Sequence, residues 1–193
     1  FVFVKSGVVA RLRRKVISLL YHLALGHSNQ KVIFQNVDDQ SQLSKLAAIS
    51  SERLVLIHGS GVDLSLYRMK PIHEGVPTVL FAARLLGDKG VREFVDAAKL
   101  VNRSELRARF VLVGKIDPLN PASIQQSEID SWKEDGIVEL WGYRDDMAQV
   151  LSSAMIVVLP SYREGFPKVL SEASASGRVI ITTDVPGCRD VVE

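Results

Sequence analysis

The chain has 193 residues, of which 47% are hydrophobic and 24% charged, and its formal net charge is +2. A chain of this composition folds as one full globular core or as one domain with part of another, and so mild a charge argues against a nucleic-acid-binding protein. The single cysteine, Cys188, excludes an internal disulfide and fits a reducing compartment such as the cytoplasm, and no apolar run is long enough to span a membrane.

Both ends of the sequence lack the features of natural termini. The chain opens without methionine on Phe-Val-Phe-Val (residues 1–4), a pattern typical of the end of a buried strand. It stops at residues 190–193, inside a predicted helix. We therefore expect the sequence to be part of a longer protein.

Residues 1–70 contain a basic and apolar stretch, Arg11–Leu25, which has the length of a helix and neither glycine nor proline. Such a stretch is typical of a core helix with one solvated turn or of a helix that lies on a membrane surface, and the sequence leaves both interpretations open. Farther along, the pattern predicts a short buried strand at 31–35, a helix at 38–49 and a second strand at 53–58.

A loop at residues 68–77 contains two prolines and a glycine, a composition typical of a linker or hinge. We therefore predict three segments along the chain. They are the end of an N-terminal domain at 1–70, a hinge at 71–77, and a second domain at 78–193 that is cut short at its C-terminus.

Residues 78–193 alternate strand and helix patterns. Strands are predicted at 78–83, 110–113, 138–141, 156–159 and 179–182, and helices at 90–102, 123–134, 145–152 and 167–176. The continuous Val, Ile and Leu runs in the strands favour a parallel sheet that is buried on both faces. The predicted fold class is α/β, a Rossmann-like doubly wound parallel sheet with helices on both faces, whose ligands bind at the carboxyl ends of the strands.

The first segment that could carry chemistry is 83–90, directly after the first of these strands. Arg84 and Lys89 flank a tight turn that leads into a helix. Two cations beside a helix N-terminus can hold a diphosphate, because arginine offers a planar fork and lysine a point charge. The alternative is a strand-end arginine and a solvated lysine.

The second segment contains two acids, Glu164 and Glu172, between a predicted strand and helix. Glu164 lies in the turn, and Glu172 lies about two helical turns farther on, roughly 12 Å along the axis. Each carboxylate can accept two hydrogen bonds from a vicinal diol, so the pair suggests a nucleotide-sugar site. The alternative is that Glu164 merely lies in an acidic turn and Glu172 is a solvated helix acid, although a buried acid there would need a partner.

Between the two acids, the sequence predicts a helix start that would attract an anion. Phe166 precedes a proline and should be extended, and Pro167 fits the first helical position. The N–H groups of Lys168, Val169 and Leu170 would then be free to point toward a ligand.

Two further strand ends carry weaker signals. The segment Gly59–Asp63 has two glycines that let a ligand approach the backbone closely, or it forms an ordinary turn. The segment Trp141–Asp146 offers a place where a flat base could pack, or Asp145 is simply the N-cap of the next helix. The four histidines show no metal-ligand spacing, and we expect them to be structural, with His58 as the exception because it lies at a strand end. Cys188 has no evident base beside it in the sequence, and we expect it to be a small buried residue.

Several segments, taken in order, carry a family resemblance. They are Ala-Arg-Leu-Leu-Gly-Asp-Lys-Gly (83–90), Phe-Val-Leu-Val-Gly (110–114), Trp-Gly-Tyr-Arg-Asp-Asp (141–146), Leu-Pro-Ser-Tyr-Arg-Glu-Gly-Phe-Pro (159–167) and Thr-Asp-Val-Pro-Gly (183–187). Together they resemble the C-terminal half of the family 4 retaining glycosyltransferases, whose Glu-x7-Glu motif Glu164 and Glu172 match. The Gly-Ser-Gly-Val-Asp at 59–63 is similar to that of the bacterial capsule, O-antigen and exopolysaccharide subgroup.

The resemblance implies a GT-B fold, in which two Rossmann-like domains enclose the active site, and it assigns this chain the donor-binding half. It implies that Arg84 and Lys89 bind the donor diphosphate. It further implies that Glu164 binds hydroxyls of the donor sugar and that Glu172 binds the ribose hydroxyls. The remaining donor contacts that it implies are Gly61, Tyr143, Gly165, Phe166, Pro167 and Lys168.

The implied reaction transfers a sugar from a UDP-sugar to a glycan or lipid-linked saccharide in surface polysaccharide synthesis, without a metal or other cofactor. Retention by front-face attack gives the acceptor proton to the leaving phosphate, so no protein nucleophile is needed. We expect a cytoplasmic enzyme that contacts the inner membrane peripherally. Because most of the N-terminal domain is absent, we do not expect this fragment to transfer sugar alone.

Two other functions remain open at this point. A UDP-sugar 2-epimerase shares the two-domain fold, although its chemistry calls for acids and histidines placed for proton removal. A non-catalytic nucleotide-sugar-binding module would keep Arg84, Lys89 and Glu172 while Glu164 could vary freely.

Overall fold

The structure, a computed structural model, describes residues 7–27, 29–72 and 74–192. It forms two compact units, residues 1–58 and residues 59–193. The strand end predicted at residues 1–4 lies outside the described residues, and so does His73.

The first unit contains two helices and two short strands. In chain order these are helix α1 (Val8–Ala24), strand β1 (Val32–Phe34), helix α2 (Val37–Ala47) and strand β2 (Leu54–Leu56). The two strands pair in parallel. The strand predicted at 31–35 is less buried than expected, because Ile33 is 61% exposed and only Phe34 is buried.

Helix α1 packs against α2. The Ser18 hydroxyl donates to the Leu46 carbonyl at 2.8 Å, and His22 Nδ1 lies 3.2 Å from the Ala47 carbonyl oxygen. None of the described side chains of α1 is buried in this chain. No helix among the described residues, α1 included, is long and apolar enough to cross a bilayer.

The second unit is built on five parallel strands. They are β3 (Thr78–Ala82), β4 (Arg109–Val113), β5 (Glu139–Gly142), β6 (Ile156–Leu159) and β7 (Val179–Thr182), in the spatial order β5-β4-β3-β6-β7. All neighbouring pairs are parallel. All five residues of β3 are buried, as a central strand covered on both faces requires. The predicted doubly wound sheet is therefore confirmed.

A helix follows each strand of the sheet. These helices are α3 (Val91–Asn102), α4 (Gln126–Glu134), α5 (Met147–Ser153), α6 (Lys168–Ala175) and α7 (Arg189–Val192). Helix α3 covers the central strands through Phe94, whose ring centroid lies 5.5 Å from that of Phe81 and 5.6 Å from that of Phe110. This alternation of strand and helix is the one the sequence predicts.

Helix α4 begins at Gln126, three residues later than the predicted start at residue 123. Ser123 and Ile124 are engaged elsewhere. The Ser123 hydroxyl oxygen accepts a hydrogen bond from the backbone N–H of Asp117 at 3.0 Å, and the N–H of Ile124 donates to the Leu85 carbonyl at 3.0 Å. These contacts hold the segment as a loop against the end of β3.

Residues 59–77 belong to the second unit. Tyr67 is buried in its hydrophobic core. The guanidinium of Arg178 donates to the carbonyls of Lys70 and Ala154, which fastens the loop to the sheet. The second unit therefore begins at Gly59, before the predicted hinge at 71–77.

Candidate active site

The strand order of the second unit reverses at its centre, between β3 and β6. Strand β3 comes first in the chain, β4 and β5 lie on one side of it, and β6 and β7 lie on the other. In open parallel sheets a ligand crevice forms at the carboxyl ends of the strands at such a point. The segments that leave β3 and β6 there are 83–90 and 160–167, which the sequence singles out.

These two segments pack backbone against backbone. The N–H of Tyr162 and the hydroxyl of Ser161 both donate to the Asp88 carbonyl, at 2.9 and 3.1 Å. Gly90 has φ +78°, and a Cβ there would lie 2.2 Å from the carbonyl oxygen of Pro160, so only glycine fits. The close approach fixes the predicted phosphate-binding turn against the acidic turn.

Lys89 and Glu164, 75 residues apart in the chain, form an ion pair across this contact. Lys89 Nζ lies 2.6 Å from Glu164 Oε1, and the two side chains are 19% and 13% exposed. A partly buried charge needs such a partner, so each group stabilises the other in the absence of a ligand. The structure thus brings together one predicted diphosphate ligand and the predicted sugar ligand.

Arg84 forms a second and more exposed ion pair at the same edge. Its Nη1 lies 3.1 Å from Asp117 Oδ2, with the two side chains 59% and 32% exposed. Asp117 belongs to the loop that leaves β4, next to β3 in the sheet. The strand-end arginine thus has a carboxylate partner, and its role in binding a diphosphate stays a prediction.

Glu172, in α6, is a buried acid with polar neighbours. Its side chain is 6% exposed, and its Oε1 lies 3.2 Å from Lys168 Nζ. Burial raises the pKa of Tyr67 to about 12, and a hydrogen bond to Glu172 together with the charge of that carboxylate acts in the same direction. Glu172 is buried and has Tyr67 and Lys168 as polar partners. The alternative that Glu172 is a solvated helix acid is therefore wrong.

Helix α6 begins one residue later than predicted. Pro167 is the N-cap rather than the first helical residue, and its carbonyl accepts hydrogen bonds from the N–H groups of Leu170 and Ser171 at 3.1 and 3.4 Å. The prediction that the N–H of Leu170 is free is therefore wrong. The N–H groups of Lys168 and Val169 have no partner within the described part of the chain. Two donors thus remain at a helix end that favours anions.

The loop after β7 supports the backbone of Glu164. The N–H of Glu164 donates to the Pro186 carbonyl at 3.3 Å. Gly187 has φ +81°, and a Cβ there would lie 2.6 Å from the carbonyl oxygen of Glu164 and 2.5 Å from that of Gly165. The next residue, Cys188, is fully buried, and burial raises the pKa of its thiol, in keeping with the expected structural role.

The glycine-rich segment 59–63 reaches the acidic turn through its first glycine. A Cβ on Gly59, which has φ +62°, would lie 2.4 Å from Cδ1 of Phe166. Gly61 has φ +74°, and nothing lies within 4 Å of the position of a Cβ there. Gly59 therefore anchors the segment, while Gly61 faces open space.

Tyr143 lies at the end of β5 and is 67% exposed. The ammonium of Lys115, at the end of β4, lies 5.1 Å from the centroid of its ring, within cation–π range. Lys115 also lines a largely apolar cleft of about 220 Å³ between the ends of the two strands. The cleft is bounded by Leu85, Leu112, Gly114, Lys115, Ile116, Gln126, Ile129, Leu140 and Gly142.

The N-cap expected at Asp145 is wrong by one residue. Helix α5 begins at Met147 with Asp146 at the N-cap, and the Asp146 side chain makes no capping bond. It is paired instead with the guanidinium of Arg144. That pair lowers the pKa of Asp146 through a hydrogen bond, opposed in part by desolvation.

Two polar residues at this edge of the sheet, Asp117 and Tyr67, were not predicted from the sequence. Asp117 lies four residues after the end of β4, and its place near a carboxyl strand end was the signal that could have found it. Tyr67 lies 105 positions before Glu172, and no local pattern links the two. No group of three or more His, Cys, Asp or Glu side chains that could hold a metal ion occurs among the residues that the structure describes.

Comparison with known proteins gives a family match over most of the second unit. A family model described as glycosyl transferases group 1 matches residues 76–193. Over 98% of the chain, the sequence is 31% identical to N,N'-diacetylbacillosaminyl-diphospho-undecaprenol alpha-1,3-N-acetylgalactosaminyltransferase of Campylobacter jejuni, covering 51% of that protein. It is 30% identical to UDP-Gal:alpha-D-GlcNAc-diphosphoundecaprenol alpha-1,3-galactosyltransferase of Escherichia coli over 57% of this chain and 28% of that protein.

Solved structures with the same fold are also similar to it. Anabaena HepE in complex with UDP and glucose superposes with a TM-score of 0.73 at 22% identity, covering 95% of this chain and 51% of that one. WaaG, a glycosyltransferase involved in lipopolysaccharide biosynthesis, superposes with a TM-score of 0.72 at 17% identity, covering 97% and 54%. The chain thus spans about half the length, or less, of the relatives it matches.

Proposed function

The chain belongs to the group 1 glycosyl transferases, and we propose that it forms the donor-binding part of a retaining glycosyltransferase. This part binds a UDP-sugar, and the complete enzyme transfers the sugar to a glycan or lipid-linked saccharide in surface polysaccharide synthesis. The observation that carries the proposal is the 2.6 Å contact between Lys89 and Glu164. It joins the two motifs at the point of the sheet where a ligand crevice is expected.

Three sources of positive charge at this edge suit a diphosphate. Arg84 offers a planar fork and is largely exposed, so a phosphate can reach it. Lys89 supplies a compact point charge. The start of α6 adds the N–H groups of Lys168 and Val169, which point outward with the positive end of the helix dipole.

The two acids take different hydroxyl groups of the donor. Glu164 accepts hydrogen bonds from hydroxyl groups of the transferred sugar. These bonds replace part of the interaction between Glu164 and Lys89 when Lys89 turns to the phosphate. Glu172 accepts from the ribose diol. Its position is defined before the donor arrives, because it is buried and bonded to Tyr67.

The reaction that these groups serve is electrostatic in character. The acceptor oxygen bonds to the anomeric carbon as the bond from that carbon to the diphosphate breaks, and the acceptor proton passes to a phosphate oxygen of the departing UDP. Arg84, Lys89 and the start of α6 stabilise the charge that develops on the diphosphate. We therefore propose a transfer that needs neither a protein nucleophile nor a metal.

The uracil base is proposed to lie over the cleft between the ends of β4 and β5. This cleft is largely apolar, and a flat base can bury one face there. Tyr143 and Lys115 stand at its rim, 5.1 Å from ring centroid to ammonium. The proposal that Tyr143 contacts the base is supported by this position.

An acceptor on a polyprenyl diphosphate and a place at the cytoplasmic face of the membrane complete the proposal. The names of the Campylobacter and Escherichia relatives describe transfer to such lipid diphosphates. Helix α1 supports a peripheral contact, since it exposes Leu12, Leu19 and Leu23 together with a basic segment at 11–15. A helix of this kind can lie in the headgroup region of an anionic bilayer.

The test measures UDP-sugar turnover by the full-length protein, with and without a polyprenyl-diphosphate-linked saccharide. The wild type should transfer sugar to the acceptor, or hydrolyse the donor slowly when no acceptor is present. Glu164→Ala should reduce turnover by about 100-fold or more, because it removes an interaction with the reacting sugar. The matched control is Glu139→Ala, which breaks an exposed ion pair with Arg109 at the amino end of the same sheet.

Each outcome decides between the candidate functions. Epimerised UDP-sugar would indicate a 2-epimerase, and donor binding without any turnover would indicate a non-catalytic module. Either result contradicts the proposal. So does a Glu164→Ala variant that turns over as fast as Glu139→Ala.

A further inference from the structure

Arg84 is the most exposed of the proposed diphosphate ligands, and its side chain needs a support. An arginine on a surface samples many rotamers, and ordering it when the ligand binds reduces affinity. Within the described residues, its guanidinium donates to Asp117, from Nη1 to Oδ2 at 3.1 Å. This contact uses one of the five N–H donors of the guanidinium and leaves the others for a ligand.

Asp117 is itself fixed by its own loop. Its backbone N–H donates to the Ser123 hydroxyl oxygen at 3.0 Å, and its carbonyl accepts from the N–H of Asn120 at 2.8 Å. Pro118 follows it and limits the backbone further. The carboxylate is therefore held by a folded turn rather than by a free strand end.

The same loop is fastened to the backbone on the C-terminal side of Arg84. The N–H of Leu85 donates to the Lys115 carbonyl at 3.0 Å, and the N–H of Gly87 donates to the Ala122 carbonyl at 2.7 Å. The N–H of Ile124 donates back to the Leu85 carbonyl at 3.0 Å. The backbone segments that carry Arg84 and Asp117 are thus hydrogen-bonded to each other. These bonds define the distance between the two side chains.

We infer that Asp117 is a positioning residue, which orients the guanidinium of Arg84 toward the diphosphate of the donor. The inference rests on the proposed function, since it takes the diphosphate as the ligand of Arg84. An ion pair this exposed adds little to folding stability, so its effect is on the orientation of the side chain. The Asp117 carboxylate could also have the opposite effect on affinity. If it mainly repels the diphosphate, its removal would strengthen UDP binding.

Calorimetric titration of the full-length protein with UDP and with uridine separates these effects. Asp117→Ala should weaken UDP binding by about fivefold and leave uridine binding unchanged, because uridine has no diphosphate. Arg84→Ala should weaken UDP binding by about ten- to 100-fold. In the Arg84→Ala background, adding Asp117→Ala should change nothing further. Asp117→Asn, which keeps an acceptor for Nη1, should restore most of the affinity.

The control is again Glu139→Ala, whose broken ion pair lies away from the site, and it should bind UDP like the wild type. Unchanged or tighter UDP binding by Asp117→Ala would overturn the inference. An equal loss for UDP and uridine would do so too, since it marks a general loss of structure. If Arg84→Ala weakens UDP binding while Asp117→Ala does not, only this inference fails. If the wild type binds no UDP, the proposed function fails with it.

Discussion

Each side-chain cation proposed to bind the diphosphate is paired with a carboxylate at this edge of the sheet. Lys89 faces Glu164 at 2.6 Å, and Arg84 faces Asp117 at 3.1 Å. The two pairs differ in burial, because the Lys89 pair is mostly shielded and the Arg84 pair is open to water. We therefore propose that a diphosphate would meet cations that are already oriented, and that it would replace their contacts with the two carboxylates.

The buried Tyr67–Glu172 contact gives a pH-dependent prediction. Because burial and Glu172 raise the pKa of Tyr67 to about 12, the folded protein keeps the neutral hydroxyl where an ordinary tyrosine, of pKa 10.0, ionises. The stability from this neutral form is complete below pH 10 and is lost as the pH rises toward about 12. The hydrogen bond to Glu93 raises the pKa of Tyr162 as well, so the titration is made in a Tyr162→Phe background. Absorbance titration of tyrosinate should then show one late component, from Tyr67.

In Tyr67→Phe, this late component should be absent, while UDP binds more weakly because Glu172 has lost a hydrogen-bond donor. Tyr21→Phe serves as the control, since Tyr21 lies in the first unit, is 39% exposed and is not proposed to contact the donor. Should the component near pH 12 persist in Tyr67→Phe, the buried contact described for Glu172 does not exist.

At the scale of elements, the site depends on how closely the loops after β3, β6 and β7 pack. Gly90 lets the start of α3 meet the Pro160 carbonyl, and Gly187 lets the loop after β7 meet the carbonyls of Glu164 and Gly165. Neither contact leaves room for a side chain. The loops thus act as one rigid backbone layer, on which Lys89 and Glu164 are placed.

Substitution of Gly90 tests this packing. Gly90→Ala places a Cβ 2.2 Å from a backbone oxygen at φ +78°, so it combines left-handed strain with overlap, and should lower the free energy of unfolding by about 2–4 kcal/mol. Gly136→Ala shares the positive φ, +62°, but its Cβ meets nothing within 4 Å, so only about 1 kcal/mol of strain is expected. Urea unfolding of both variants measures the difference, and equal losses would show that the loops do not pack as described.

Much of the sheet and of its connecting loops could be predicted from the sequence, because the strands are continuous apolar runs joined by short links. Strands β6 and β7 begin and end at the predicted residues. The start of α4 was missed, because Ser123 and Ile124 bind residues that are distant in the sequence rather than the next helical turn. Propensity alone does not reveal such competition.

The candidate site was predictable to a similar degree. The positions of Arg84, Lys89 and Glu164 follow from strand ends in a parallel sheet, which bring their motifs to one edge. Their pairing does not follow from the sequence, and Asp117 was missed because a carboxylate after a strand has no distinctive local pattern. Roles in donor binding stay predictions for all of these residues.

At the scale of the whole molecule, the second unit carries every residue proposed to contact the donor. It begins at Gly59 and includes the five-stranded sheet, with the order reversal at β3 and β6 that locates the crevice. Nearly the whole of this chain matches the Campylobacter relative, but it covers only about half of that relative's length. The acceptor and the complete reaction are therefore proposed for the full-length protein rather than for this chain.

We propose that a nucleotide diphosphate binds at the carboxyl ends of β3 and β6, and a crystal structure of the full-length protein with UDP would test this binding site. We expect the β-phosphate within hydrogen-bond distance of Arg84, Lys89 and the backbone N–H groups of Lys168 and Val169. We also expect the ribose hydroxyls on Glu172, with Lys89 turned toward the phosphate. UDP bound at another edge of the sheet, or at this edge without contact to Arg84 and Glu172, would contradict this proposal.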